Sequence, residues 1–141
     1  MNINISAKRL SIILHLHCLY FILTGIWPLL SISTFMMVTG PKTDIWLVKL
    51  VGLLAVAIGL SLYKAHKENG LSRSTLLLAL VNAMAFGSID YYYVAKDVIP
   101  FVYFYDAVVE TFFVLMYTLY FLSEKRLSHR TQSADAKHSQ A

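Results

Sequence analysis

Four long apolar runs, separated by short polar segments, dominate the pattern of hydrophobic and polar positions along the chain. The runs cover residues 10–30, 45–63, 74–94 and 101–122. Each is close to the roughly 20 residues that an α-helix needs to cross about 30 Å of hydrocarbon. In lipid, only helices and closed β-barrels satisfy the hydrogen bonds of the backbone. None of the runs shows the strict alternation of apolar and polar residues that a barrel strand has. The pattern therefore predicts an all-α fold with four membrane-spanning helices, which we number spans 1 to 4.

Short polar segments connect the spans. TGPKTD at 39–44 precedes span 2, KAHKENGLSR at 64–73 joins spans 2 and 3, and AKDVIP at 95–100 joins spans 3 and 4. Links of this length make consecutive helices antiparallel neighbours, so the pattern predicts an up-down four-helix bundle within residues 1–122. The remaining residues, 123–141, are mostly polar, which predicts a disordered tail.

The composition favours a membrane protein over a soluble one. Of the 141 residues, 57% are hydrophobic and 14% are charged, whereas soluble domains average about 45–50% and about 25%. Cys18 is the single cysteine, so neither an internal disulfide nor a CxxC motif can form. HExxH, GxSxG, P-loop and GxGxxG motifs are missing from the sequence. The two histidines of span 1 point to nearly opposite faces, so we predict no metal site and no cofactor; a haem or quinone contact is the alternative.

Lysine and arginine residues are concentrated on one side of the predicted bundle. Nine of the 12 lie before span 1, between spans 2 and 3, or after span 4: Lys8, Arg9, Lys64, Lys67, Arg73, Lys125, Arg126, Arg130 and Lys137. The other three, Lys42, Lys49 and Lys96, belong to the opposite side. By the positive-inside rule, this asymmetry predicts cytoplasmic termini and a cytoplasmic tail. Basic residues at the ends of spans indicate membrane topology and no nucleic-acid binding, so the lipid bilayer is the predicted partner.

One alternative concerns the first span. Lys8 and Arg9 before an apolar core, followed by the small residues 31–33, resemble a cleavable signal peptide, and cleavage would leave three spans. The core is longer than most signal sequences and contains His15 and His17, which favours a retained span.

Span 4 carries two acids although it is long enough to cross a bilayer. Six of its polar or aromatic residues are spaced by 3, 4, 3, 4 and 3 positions: Tyr103, Asp106, Glu110, Phe113, Tyr117 and Tyr120. Residues at this spacing share one face of a helix. The other faces hold mostly Val, Leu, Phe and Ala. We therefore predict that the acid-bearing face points into the bundle and that the rest faces lipid.

Spans 2 and 3 show similar faces. The face of span 3 consists of Asn82, Phe86, Asp90 and Tyr93. The face of span 2 consists of Trp46, Lys49, Gly52, Val56, Gly59 and Tyr63. Gly52 and Gly59 would let a neighbouring helix approach closely.

The polar groups on these faces fall at similar depths if each residue rises about 1.5 Å. They define a candidate polar seam of Lys49, Asn82, Asp90, Asp106 and Glu110. The aromatic candidates for ligand contact on the same faces are Trp46, Tyr93, Tyr103 and Tyr117.

Two interpretations of the polar seam are open. A charge at mid-bilayer costs at least about 2.5–3.5 kcal/mol, and Lys49 can offset this cost by pairing with Asp90 or Asp106, which would make the seam structural. Alternatively, the acids form a ligand or proton site. Glu110, the deepest acid, has no predicted cation beside it and is the candidate proton-handling group.

A family resemblance rests on span 2. Its residues Trp46, Lys49, Gly52, Gly59 and Leu62, together with the four spans and the short polar tail, resemble the DoxX-like membrane proteins of bacteria. The resemblance implies a four-helix bundle in the bacterial inner membrane and, in part of the family, quinone or thiol redox chemistry. Thiol chemistry requires paired cysteines, which this sequence lacks, so no site residue is carried over.

Three functions are open from the sequence. The preferred prediction is a ligand-binding, accessory or complex-subunit protein, acting as a homo-oligomer or with a partner membrane protein. The first alternative is a membrane-embedded isomerase or oxidoreductase of a lipid-soluble substrate, with Glu110 and Asp106 as acid and base. The second is a purely structural bundle. An enzyme needs a cavity beside Glu110, whereas a structural bundle fills that space and closes Lys49 onto an acid.

Overall fold

A computed structural model describes the backbone of residues 2–138 and the side chains of residues 8–68 and 70–124. Five α-helices account for most of this part of the chain: α1 Asn2–Leu30, α2 Ile32–Thr39, α3 Ile45–Asn69, α4 Arg73–Ala95 and α5 Val102–His138. The described residues contain no β-strand, so the predicted all-α fold is confirmed. The four long helices contain the four predicted spans, except that α5 begins one residue after the predicted start of span 4.

These four helices are long and apolar enough to cross a membrane. Their spanning segments are Lys8–Leu30, Ile45–Glu68, Arg73–Ala95 and Val102–Glu124. Large apolar side chains cover the outside of each helix, and examples that are more than half exposed are Leu23, Leu53, Leu77 and Leu119. Water would solvate such a surface poorly, whereas hydrocarbon solvates it well. The chain is therefore an integral membrane protein.

The bundle consists of two closely packed antiparallel pairs, α1 with α3 and α4 with α5. The pairs meet mainly where α1 contacts α5 and α3 contacts α4, which gives the predicted up-down bundle. Gly40 lies beside Pro100, so α2 and the α4–α5 link share one end, which we call the loop end. The ion pair between Arg73 Nε and Glu124 Oε2, 3.4 Å apart, lies at the opposite end, which we call the terminal end.

Glycines allow α1 and α3 to approach each other closely. A Cβ atom added to Gly25 would lie 2.5 Å from the carbonyl oxygen of Gly52. A Cβ atom added to Gly59 would lie 2.9 Å from the carbonyl oxygen of Cys18. Any side chain at these positions would meet backbone, so the prediction of close approach at Gly52 and Gly59 is confirmed.

Small residues also bring α4 and α5 together. Ala79 and Ala83 of α4 and Ala107 of α5 are fully buried. A Cβ atom added to Gly87 would lie 3.1 Å from the Cβ atom of Glu110, so the absent side chain of Gly87 makes room for the acid. This contact places Glu110 against α4 in the interior of the bundle.

The segment between spans 1 and 2 contains a helix that the sequence pattern did not predict. The Ser31 hydroxyl accepts a hydrogen bond from the backbone N–H of Thr34 at the start of α2. Gly40 has a φ of +78°, which glycine adopts readily, and it ends the helix. α2 therefore lies across the loop end of the bundle, where it contacts α1 and α5.

The last helix is longer than predicted. α5 continues to His138, whereas the pattern predicted disorder from Ser123 onward. No glycine or proline follows Pro100 in the sequence, so no residue type that breaks helices interrupts this one. Residues 139–141 of the predicted tail lie outside the described residues.

Candidate functional site

A cavity of about 190 Å³ lies between α1, α3, α4 and α5, in the half of the bundle nearer the loop end. Three acids line it: Asp90, Asp106 and Glu110. Most of the remaining wall is apolar or aromatic and includes Phe21, Phe35, Phe86 and Tyr103. We call this space the acidic cavity.

The acids reach the cavity because of the faces on which they lie. Asp106 and Glu110 belong to the predicted inward face of α5, and no residue of that face is exposed. Asp90 belongs to a buried face of α4 that continues through Gly87 and Ala83. Since α4 and α5 are antiparallel and closely packed, these two faces bring the three acids to the same cavity, with Glu110 one turn deeper than Asp106.

Asp106 has a partner that the sequence pattern did not identify. The hydroxyl of Tyr20 on α1 donates a hydrogen bond to Oδ1 of Asp106. This contact joins the α1–α3 pair to the α4–α5 pair through a polar interaction at the wall of the cavity. A hydrogen bond to a carboxylate is worth about 1.5–3 kcal/mol, so it also stabilises the contact between the pairs.

Glu110 faces a histidine in the centre of the bundle. Its side chain is 1% exposed, and Oε2 lies 3.4 Å from Nε2 of His17, which is 0% exposed. The separation is longer than the roughly 2.7–2.9 Å of a charge-assisted hydrogen bond. Among the described residues, neither atom has a hydrogen-bond partner.

Aromatic residues hold the His17 ring in place. The ring of Phe113 stacks on it with centroids 4.1 Å apart, and the ring of Phe21 lies at 4.5 Å. Nδ1 of His17 lies 3.1 Å from the hydroxyl of Tyr117. These contacts fix the direction in which Nε2 points.

The two tautomers of His17 imply two proton positions. If Tyr117 donates to Nδ1, then Nε2 carries the hydrogen and faces a Glu110 acceptor. If Nδ1 donates to Tyr117, then Nε2 is an acceptor and Glu110 must carry the proton to complement it. The two tautomers therefore place a proton either on Nε2 of His17 or on Glu110, and Glu110 is the member of the pair that lines the cavity.

Asp90 is the third acid and has the fewest partners. Its side chain is 8% exposed. Within the described part of the chain, its Oδ2 atom is buried and makes no hydrogen bond. An unmet buried acceptor costs free energy, so a group in the cavity that donates to Asp90 would be stabilised there.

Lys49 and Trp46 do not join the acids. Both side chains are exposed, and no ion pair of Lys49 occurs among the described residues. Gly52, one turn away, packs against Pro28 near the end of α1. α1 ends at Leu30, just beyond that level, and Lys49 stays exposed, so within the described residues its predicted pairing with Asp90 or Asp106 does not form.

Asn82 and Tyr93 also lie away from the cavity. The Asn82 amide donates to the carbonyl oxygen of Leu78, one turn earlier on its own helix. Gly87 faces Glu110, and Asn82 precedes Gly87 by five residues, which corresponds to a rotation of about 140° around the helix. Asn82 therefore lies on a different side of α4 from the one that faces Glu110. Tyr93 is 38% exposed. Of the predicted face of span 3, only Asp90 and the half-buried Phe86 reach the cavity.

Two predicted aromatic residues are part of the site. Tyr103 lines the acidic cavity, and Tyr117 is fully buried and contacts His17. A second cavity of about 210 Å³ adjoins the first at Tyr20, Tyr103 and Asp106 and continues toward α2.

Lys42 lies at this approach from the loop end. Its Nζ donates to the carbonyl oxygen of Thr39 at 2.6 Å and lies 5.1 Å from the centroid of the Tyr103 ring. Partial burial lowers the pKa of the Lys42 ammonium. Within the described residues, Lys42 makes no ion pair with an acid of the cavity.

His17 and Tyr20 are the site residues that the polar seam omitted. His17 follows Leu10 and Leu14 and precedes Phe21 at spacings of 4, 3 and 4, and all four are buried. That spacing marks the inward face of α1, so a histidine on it is an intramembrane ionisable group. Tyr20 lies at the edge of this face and carries no comparable signal.

The acids are not arranged as a metal site. Among the described residues, no three His, Cys, Asp or Glu side chains come close enough together to hold a metal ion. No family model, no curated protein and no solved structure matches the chain.

Proposed function

We propose that this protein binds a small ligand in the acidic cavity, as a ligand-binding, accessory or complex-subunit protein of the membrane. One observation carries the proposal: Asp90 lines a cavity beside Asp106 and Glu110, and its buried Oδ2 atom has no hydrogen-bond partner among the described residues. A purely structural seam would satisfy this atom with a protein group, as the predicted pairing with Lys49 would have done. Cavities lined by apolar side chains with a few polar groups are the usual form of ligand sites.

A membrane-embedded enzyme is the second candidate, and the His17–Glu110 pair favours it. The two groups can exchange a proton beside the cavity, as a general acid or base must. In this reaction, an isomerisation that moves a proton from one carbon of a lipid-soluble substrate to another, Glu110 and Asp106 contact the substrate and His17 positions Glu110. Turnover of a bound compound by wild type, lost in Glu110→Gln, separates this candidate from simple binding.

The orientation that we propose places both termini in the cytoplasm of a bacterial inner membrane, because nine of the 12 basic residues lie toward the terminal end. Thr43 and Lys67 are exposed and lie at opposite ends of α3. In a Cys18→Ala background, a membrane-impermeant maleimide should label Thr43→Cys in intact spheroplasts and label Lys67→Cys only after lysis. Labelling of Lys67→Cys in intact spheroplasts, and of Thr43→Cys only after lysis, would show the opposite orientation.

Membership of the DoxX-like family stays a prediction.

Native mass spectrometry tests the ligand site. Wild-type protein released from mild detergent should carry a reproducible small-molecule adduct, and Glu110→Gln should lose it because one polar contact in the cavity changes. Glu68→Gln is the matched control, since Glu68 is exposed and pairs with Lys64 outside the cavity. An adduct that persists in Glu110→Gln, or a wild-type protein without any adduct, would contradict the proposal. The same spectra show whether the protein is a monomer, a homo-oligomer or part of a complex.

A further inference from the structure

We infer that the ligand of the acidic cavity is a small organic cation with N–H donors, a primary or secondary ammonium that contacts Asp90 and Glu110. The inference rests on the proposed ligand-binding function and names its ligand class. It follows from the charge, the unmet hydrogen bond of Asp90 and the size of the cavity.

The charge of the cavity favours a cation. Three carboxyl groups line the space, and among the described residues no lysine or arginine does. His17 lies behind Glu110 and lines neither cavity. An anionic ligand would add repulsion in a region of low dielectric constant, whereas a cation offsets the cost of burying the carboxylates.

The unmet hydrogen bond of Asp90 requires a donor on that cation. Asp90 is 8% exposed, and within the described residues its Oδ2 atom has no hydrogen-bond partner. Glu110 also lines the cavity, although its Oε2 atom faces His17. A quaternary ammonium has no N–H and would leave Oδ2 of Asp90 unsatisfied. A metal ion needs several ligands at short distance, and the spacing of acidic and histidine side chains in the described residues does not provide them. An ammonium group with two or three N–H bonds can donate to Asp90 and to the carboxyl group of Glu110.

The size and the walls define the rest of the ligand. About 190 Å³ is somewhat larger than the roughly 150 Å³ that holds benzene in an apolar cavity. Phe21, Phe86 and Tyr103 supply aromatic surface for an apolar body and for contact with the cation. The cavity therefore fits a monoamine with one ring or a short alkyl chain, and the adjoining cavity toward α2 gives longer amines room to extend.

Isothermal titration calorimetry on the full-length protein in detergent tests this inference with probes of matched shape. Benzylamine, phenethylamine and n-butylamine are the amines; benzyl alcohol is the neutral analogue, and benzyltrimethylammonium is the cation without a donor. At least one amine should bind wild type about tenfold or more tightly than both analogues, since a charged hydrogen bond is lost with each analogue. This comparison uses wild type alone, so it does not depend on the folding of any variant.

Variants then assign the contact. Asp90→Asn and Glu110→Gln should each weaken amine binding about tenfold or more, whereas Glu68→Gln should bind like wild type. The cation inference would be overturned if benzyl alcohol bound wild type as tightly as the amines do. It would also be overturned if an amine bound tightly to the double variant Asp90→Asn/Glu110→Gln. If wild type carries a neutral or anionic adduct in native spectra and binds no amine, the inference fails and the ligand site stands. If it carries no adduct and binds no probe, both fail.

Discussion

Replacing Gly25 with leucine is expected to separate α1 from α3 and to lower the free energy of unfolding by about 3 kcal/mol or more, at the upper end of the usual cost of overpacking. The new Cβ atom would lie 2.5 Å from the Gly52 carbonyl oxygen and 3.0 Å from the Ala55 side chain. A backbone oxygen cannot turn away as a flexible side chain can, so the two helices must move apart.

Unfolding by SDS titration in mixed micelles, followed by circular dichroism, measures this effect. Ala57→Leu is the matched control: it adds similar bulk to α3, on an exposed position that faces hydrocarbon. It should leave stability close to that of wild type. A Gly25→Leu protein as stable as wild type would mean that α1 and α3 do not pack through these glycines. Tyr20 of α1 and Asp106 of α5 meet at the wall of the acidic cavity. Moving α1 away from α3 should therefore also open this cavity.

Features that depend on a single helix could be predicted from the sequence. The four spans follow from the length and apolarity of each run, and the inward face of α5 follows from the spacing of Asp106 and Glu110 within it. The close approach at Gly52 and Gly59 follows from the small size of glycine. None of these conclusions requires knowing which helix lies opposite.

Features that depend on which helices meet could not be predicted in the same way. Lys49 lies at the helical spacing of Gly52, but α1 ends at that level, so Lys49 faces outward. Asn82 and Asp90 are eight residues apart, and over that distance a spacing of four drifts around an α-helix by about 80°. The partner of Glu110 is His17, which comes from the first span, 93 positions earlier in the sequence. Its identity depends on the packing of α1 against α5, which no local pattern encodes.

The His17–Glu110 pair should show strong coupling in a double-mutant cycle. His17→Leu is expected to cost about 3–5 kcal/mol, because it leaves a buried acid without its partner, and Glu110→Leu should destabilise for the corresponding reason. The destabilisation of the double variant His17→Leu/Glu110→Leu should be smaller than the sum of the two single effects. The difference, which is the coupling energy, should be roughly 1–3 kcal/mol.

SDS titration of the four proteins measures the cycle. The exposed Lys64–Glu68 pair is the control and should show little coupling. Strict additivity for His17 and Glu110 would contradict the contact.

The stability of the double variant also bears on function. Apolar residues that replace a buried pair are often neutral or stabilising, so a bundle selected only for stability has little reason to keep an acid and a histidine in its centre. If His17→Leu/Glu110→Leu is as stable as wild type but no longer binds the amines or carries the native adduct, then the pair is kept for the ligand. If the double variant unfolds far more easily and a protein with only Glu110→Gln still binds the amines, then the pair is structural and the ligand contact lies elsewhere in the cavity.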